Sequence, residues 1–264
     1  MDWLTQIPAE KLILFALVFA RVSGLFMVAP IYGTNDIPMR IRALLSFAVA
    51  ALVMPGLWAV DIPDPGNVVV FLIWIAAEVA IGFVLGFGVV VLVGGIELAG
   101  ELVARIGGMM LADTFDPSSG NNVPLFSRLF SLMGLAIFVV LGGHRILLDG
   151  LLTSFDIAAP GAGLLPVRAP EVLLSLLAES FVLGVRASAP VVTALLVAIL
   201  VLGLISRTVP QLNILAVGFG LNAMLTFAGL LITVGIVAIV FQEHLEVALD
   251  RLIEQIRYTT TALS

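Results

Sequence analysis

Long apolar runs broken by short polar turns set the pattern of this chain. The first run, residues 12–31, holds about twenty residues, enough to cross the hydrocarbon core of a bilayer. Pro30 ends it, and Gly33, Asn35, Asp36 and Pro38 then read as a turn into a new helix. The second run covers residues 43–60 and stops at DIPDPGN, residues 61–67. The runs are continuous rather than alternating, which predicts helices and excludes a barrel.

Two runs are too long for a single crossing. Residues 68–115 contain no proline, and as one helix would extend for roughly 70 Å. That length predicts either a turn, best placed at Gly94-Gly95, or a helix projecting far beyond the membrane. Gly82 and Gly86 form a GxxxG pattern, with Gly88 beyond, that lets another helix approach closely. Residues 123–141 make the fourth run, followed by GGHRILLDGLLTSF and a proline-rich loop at 156–170. The fifth run, residues 171–205, is again overlong at roughly 50 Å. Pro190 is expected to divide it, displacing the carbonyl of Arg186. A sixth run covers residues 212–241. Residues 238–258 then read as an amphipathic helix, with Leu245, Leu249, Leu252, Ile253 and Ile256 on one side and Glu246, Asp250, Glu254 and Arg257 mostly opposite. The expectation is an all-α, polytopic helical membrane protein built from long, kinked hairpins, with residues 1–264 forming one membrane domain.

Composition agrees. The chain has 264 residues, of which 61% are hydrophobic and 11% charged, and a mean hydropathy of +1.20. Soluble domains carry about 25% charge. The net charge of −6 includes no basic run, so neither nucleic acid nor capture of anionic lipid is indicated. There is no cysteine, which removes disulfides and thiolate metal sites. Two acids precede the first apolar run, so that run is expected to be a retained span rather than a cleaved signal. Arg40 and Arg42 in the first loop, against Asp61 and Asp64 in the second, favour a first loop inside and an N-terminus outside.

The few polar groups inside apolar runs are the candidates for chemistry. Arg21, Glu78, Glu179 and Arg186 each carry a penalty if they face lipid, so each is expected to face protein or water. They read as buried charges joining helices or subunits, or alternatively as an ion pathway. Glu97, Glu101 and Arg105 recur every four residues, which gives either a solvated helix face or the wall of a wet lumen. His144 lacks the converging ligands of a metal site and reads as a hydrogen-bonded residue at a helix end. No nucleophile elbow, phosphate loop or zinc motif is present, so neither catalysis nor a bound cofactor is expected.

Four segments carry a family resemblance that runs nearly end to end. They are ARVSGLFMVAPIYGTNDIPMRIRALLSFAVAALVMPGL, GELVARIGGMMLADTFDPSSGNNVPLFSR, GGHRILLDGLLTSF and SRTVPQLNILAVGFG. In order and spacing the chain resembles the FliR-type proteins of the bacterial flagellar export gate, whose relatives serve virulence type III secretion. PQLNILAVGFG leans towards the flagellar branch. The resemblance implies a non-enzymatic gate subunit in the bacterial inner membrane, at the flagellar basal body. Its partners there would be FliP- and FliQ-type subunits, membrane lipids, and unfolded export substrates in transit. It also implies helical hairpins set largely outside the bilayer plane, and an internal plug. Carried onto this chain, the plug covers Gly107, Gly108, Met109, Met110, Phe115, Asp116, Pro117 and Gly120, with Glu97, Glu101 and Arg105 as a lumen-facing helix. Glycines allow tight packing and methionines give a yielding seal; Met109 and Met110 as filler between helices is the other reading. Arg105 stands where relatives often have glutamine, and Gly220 where they often have proline. An ion-coupled transporter using Glu78, Glu179 and Arg186 is the competing class.

Overall fold

The computed structural model describes residues 8–33, 37–108, 125–162, 169–209, 211 and 214–261. Every regular element among them is helical: α1 (Ala9–Val28), α2 (Met39–Val53) with a 3-10 turn (Met54–Leu57), α3 (Val68–Ile106), α4 (Leu125–Val140), α5 (Gly143–Ile157), α6 (Ala169–Thr208) and α7 (Ile214–Thr261). The helix boundaries follow local chemistry. Ala29 swings to ψ 142°, the extended geometry that a following proline enforces, and so closes α1. The Asn67 carboxamide oxygen accepts the Val70 N–H at 2.9 Å and caps the start of α3. Asp64 accepts the Gly66 N–H in the turn just before it.

Two sequence expectations need correction. Gly94-Gly95 does not turn the chain, since α3 runs unbroken for 39 residues, about 58 Å at 1.5 Å per residue. The physical reason is packing. A side chain on Gly95 would strike the carbonyl of Ser180, whereas Gly94 has open space around it. One glycine of the pair is therefore a contact point and neither is a hinge. Similarly, Pro190 lies inside α6 without ending it. Having no N–H, it leaves the Arg186 carbonyl without its helical donor. The amphipathic tail is helical and unbroken from the run before it. It continues α7, with Leu245, Ala248, Leu249, Leu252 and Ile256 buried.

The chain divides into two compact units. The first comprises residues 1–91, 142–176 and 245–264, and the second residues 92–141 and 177–244. In the first, α1 lies against α3 at backbone distance. Gly24 faces Val79, Gly82 faces the Arg21 carbonyl and Gly86 faces Leu25 and Ala29, so a methyl at any of the three meets backbone atoms. The GxxxG expectation therefore holds, and α1 is the helix it admits. Farther along α3, Gly88 receives the side chains of Leu252 and Leu176. In the second unit, α3 packs through Gly95 on α6, where Gly184 faces the Gly95 carbonyl, and through Gly100 on Phe130 of α4. Phe130, Ile96, Ala99, Val103 and Ala104 are fully buried there. Phe138 and Phe241 meet edge to face at 6.5 Å.

By length and hydropathy, α1, α2 with its 3-10 turn, α3 and α6 are each able to cross a membrane. Much of α2 and α6 is apolar and exposed, including Leu44, Phe47 and Leu52 on α2 and Leu177, Phe181, Leu200 and Leu204 on α6. Such a surface is suited to lipid or to other apolar helices rather than to water.

Candidate functional site

Two polar constructions stand out in this apolar molecule. The first is centred on Arg21, which is fully buried, and on Glu78, only 3% exposed. Arg21 Nε donates to Glu78 Oε2 at 2.6 Å. Its Nη1 donates to the Ser154 carbonyl at 2.8 Å and to Ser154 Oγ at 3.1 Å, and its Nη2 to the Ala158 carbonyl at 2.9 Å. The guanidinium also lies 4.3 Å from the centroid of the Phe155 ring. Ser154 and Ala158 stand at the C-terminal end of α5, where the helix dipole is negative; the Ser154 carbonyl also accepts the Ala158 N–H at 3.0 Å, and the Ala158 carbonyl lies just beyond the last helical residue. Arg21 therefore caps α5 as well as neutralising Glu78. The second carboxylate oxygen, Glu78 Oε1, accepts the Gly161 N–H at 3.0 Å. Gly161 has φ +85° and sits against Ile62 and Leu17, so both its backbone and its surroundings favour glycine.

The second construction lies at the C-terminal end of α3. Arg105 Nε donates to Glu101 Oε1 at 3.1 Å, and both side chains are exposed to a substantial degree. Glu97 is also exposed, one turn earlier. The three form one polar stripe, as their spacing predicted. Beyond them, Gly107 donates to the Val103 carbonyl at 2.8 Å and Gly108 to the Arg105 carbonyl at 3.3 Å. Gly108 has φ +72°, the left-handed geometry in which helices commonly end on glycine. Gly107 is buried against Leu195 of α6 and Thr226 of α7. Its carbonyl accepts a hydrogen bond at 3.3 Å from the side-chain amide of Asn222, also on α7.

Of the residues assigned to a plug from the sequence, Gly107 and Gly108 are therefore placed at this helix end. Met109, Met110, Phe115, Asp116, Pro117 and Gly120 lie outside the described residues. Arg21 and Glu78 are brought together as an interior pair. Glu179 is half-buried, and Arg186 is exposed on α6 within this chain. The exposed face of α6 beside Arg186 includes Val182, Val185, Pro190 and Thr193. His144 does lie at a helix end, the start of α5, but its buried Nδ1 has no hydrogen-bond partner among the described residues.

Sequence reasoning passed over Ser154, Gly161, Asn222 and Thr226. For the last two a signal was available. Between residues 214 and 241 the only polar side chains are Asn222, Thr226 and Thr233. Asn222 and Thr226, four apart, share a helix face.

The profile of the family described as bacterial export proteins, family 1, matches residues 12–248. The chain belongs to that family. Among bacterial export proteins of family 1, it is similar to the flagellar biosynthetic protein FliR of Aquifex aeolicus (strain VF5), with 31% identity over 93% of this chain and 94% of the relative. The corresponding protein of Bacillus subtilis (strain 168) is 28% identical over 89% of this chain and 92% of the relative. The surface presentation of antigens protein SpaR of Shigella sonnei is also 28% identical, over 81% and 82%. The export-family match covers both polar constructions.

Proposed function

We propose that this chain is a structural subunit of the flagellar type III protein export gate, an integral membrane protein of the bacterial inner membrane that assembles with FliP- and FliQ-type subunits around a channel for unfolded substrates. The observation that carries the reading is the family match over residues 12–248, together with FliR relatives spanning nearly the whole chain. The exposed apolar faces of α2 and α6 fit a subunit that is covered by lipid and by other helices. In this reading Gly107 to Gly120 form the plug, and Glu97, Glu101 and Arg105 line the lumen beside it. Glu179 and Arg186 are held for contacts with neighbouring subunits. The role is architectural and needs no cofactor.

Co-purification tests assembly: the chain is expected to be recovered in a complex with FliP- and FliQ-type proteins, and a stable, well-behaved monomer would argue against it. The plug is tested by deleting residues 109–120. The complex should still assemble but conduct small ions in a planar bilayer, and an unchanged conductance removes the plug assignment.

An ion-coupled transporter is disfavoured by Glu78. Both of its carboxylate oxygens are committed, one to Arg21 and one to Gly161, inside a closed interior. A coupling carboxylate must release and rebind its ion, which this arrangement opposes.

A further inference from the structure

We propose that the exposed face of α6 around Arg186 is a docking surface for an apolar helix of a neighbouring gate subunit, one that presents a carboxylate opposite Arg186. The inference rests on the gate reading above and deepens it by giving the chemistry of the occupant.

Arg186 is exposed near the middle of a 40-residue helix. Exposed apolar side chains run along that helix from Leu174 to Leu204 and include Phe181, Val182, Val185 and Leu200. Between Leu174 and Leu204 no other charged residue is exposed. The positions three and four away, where an intrahelical partner would stand, are Val182, Leu183, Ala189 and Pro190. Glu179 is two turns back, about 10 Å along the axis. Among the described residues no hydrogen bond or ion pair holds the guanidinium. A second polar group stands beside it. Pro190 has no N–H to give the Arg186 carbonyl, and the Thr193 hydroxyl donates instead to the Ala189 carbonyl at 2.7 Å.

Lipid alone does not fit this face. The apolar stripe is about 45 Å long at 1.5 Å per residue, against about 30 Å of hydrocarbon. If the edge of the bilayer lies at Arg186, one end of the stripe is left in water. If the helix tilts until the whole stripe is immersed, Arg186, about 18 Å along the axis from Leu174, falls near the midplane, where an unpartnered cation is costly. A neighbouring helix removes both difficulties. Its apolar side chains cover the stripe, and a carboxylate meets the planar guanidinium with two acceptor oxygens. An apolar helix without an acid would bury Arg186 unpaired, so charge selects the occupant.

The test uses the full chain co-expressed with FliP- and FliQ-type subunits, with the amount of complex recovered as the readout. Arg186→Glu should lower recovery at least about tenfold, as expected when a desolvated interfacial charge loses its partner. Arg186→Lys keeps the charge and should stay within about threefold of the parent. A photo-cross-linking phenylalanine analogue in place of Val182, one turn before Arg186, should join the chain to a neighbouring subunit close to an Asp or Glu. Exchanging that acid for arginine should restore assembly to Arg186→Glu. If Arg186→Glu does not accumulate in the membrane, the cross-link decides. Parent and Arg186→Glu complexes recovered equally, or cross-links to lipid only, would overturn the inference and leave the gate reading standing. Equal losses from Arg186→Lys and Arg186→Glu would assign the effect to shape and refute the charge pairing. A parent chain that never assembles with these subunits would remove the gate reading and the inference together.

Discussion

Arg21 sits in an apolar interior with four acceptors around it: Glu78 Oε2, the Ser154 carbonyl, Ser154 Oγ and the Ala158 carbonyl. This network satisfies a helix end as well as a charge, which distinguishes it from an isolated buried ion pair. Removing either partner strands a buried charge, so Arg21→Met and Glu78→Gln should each cost about 3–5 kcal/mol, read as lowered thermal midpoints in detergent. An isolated pair would tolerate joint replacement. Here the double variant should recover only part of the loss, because the Ala158 carbonyl at the end of α5 loses its donor. A double variant as stable as the parent chain would show that the cap contributes nothing. Arg21→Lys should also destabilise, since one ammonium cannot reach acceptors spread across a planar fork. At this scale the sequence was informative about which residues matter and silent about their partners. A charge in an apolar run announces itself, whereas a contact between positions 21, 78 and 154 depends on how three helices pack.

Glycine placement decides how the helices approach one another, and neighbouring glycines on α3 make opposite predictions. Gly95→Ala drives a methyl into the Ser180 carbonyl and should destabilise by about 1–3 kcal/mol, typical of overpacking. Gly94→Ala meets open space on a helix and should stabilise by about 0.5–1 kcal/mol. Chemical unfolding of the two variants side by side checks the pair, and equal effects would contradict the assigned faces. Gly82→Ala should behave like Gly95→Ala, since the Arg21 carbonyl occupies its space. This scale also shows why sequence reading erred. A glycine pair in an apolar run signifies a turn or a close contact with equal force, and only the facing helix distinguishes them. The GxxxG at Gly82 and Gly86 was legible because its spacing carries one meaning. Asn222 was not, because a single amide hardly alters the apolar character of a long run.

For the molecule as a whole, the exposed apolar faces of α2 and α6 define what the export-gate subunit needs from its surroundings. Expressed alone, the chain should give low yields of monodisperse material, and co-expression with FliP- and FliQ-type subunits should raise them several-fold, measured by size-exclusion chromatography. Equal recovery with and without partners would contradict an obligate assembly role. The helical class and the membrane setting were readable from composition and run length alone. The division into two units was not, because each is assembled from separated segments of chain.

That interleaving has a consequence for the time order of biogenesis. Arg21 enters the membrane within the first helix, yet its acceptor at Ala158 is 137 residues away. At roughly 5–20 residues per second, the ribosome supplies that acceptor about 7–27 s later. Glu78 follows after 57 residues, but through the rest of that interval the guanidinium lacks its acceptors on α5, and the insertion machinery or the bilayer surface must hold it. A chain stalled before residue 150 should therefore be a preferred substrate of membrane quality-control proteases, whereas the same stalled chain carrying Arg21→Leu should persist.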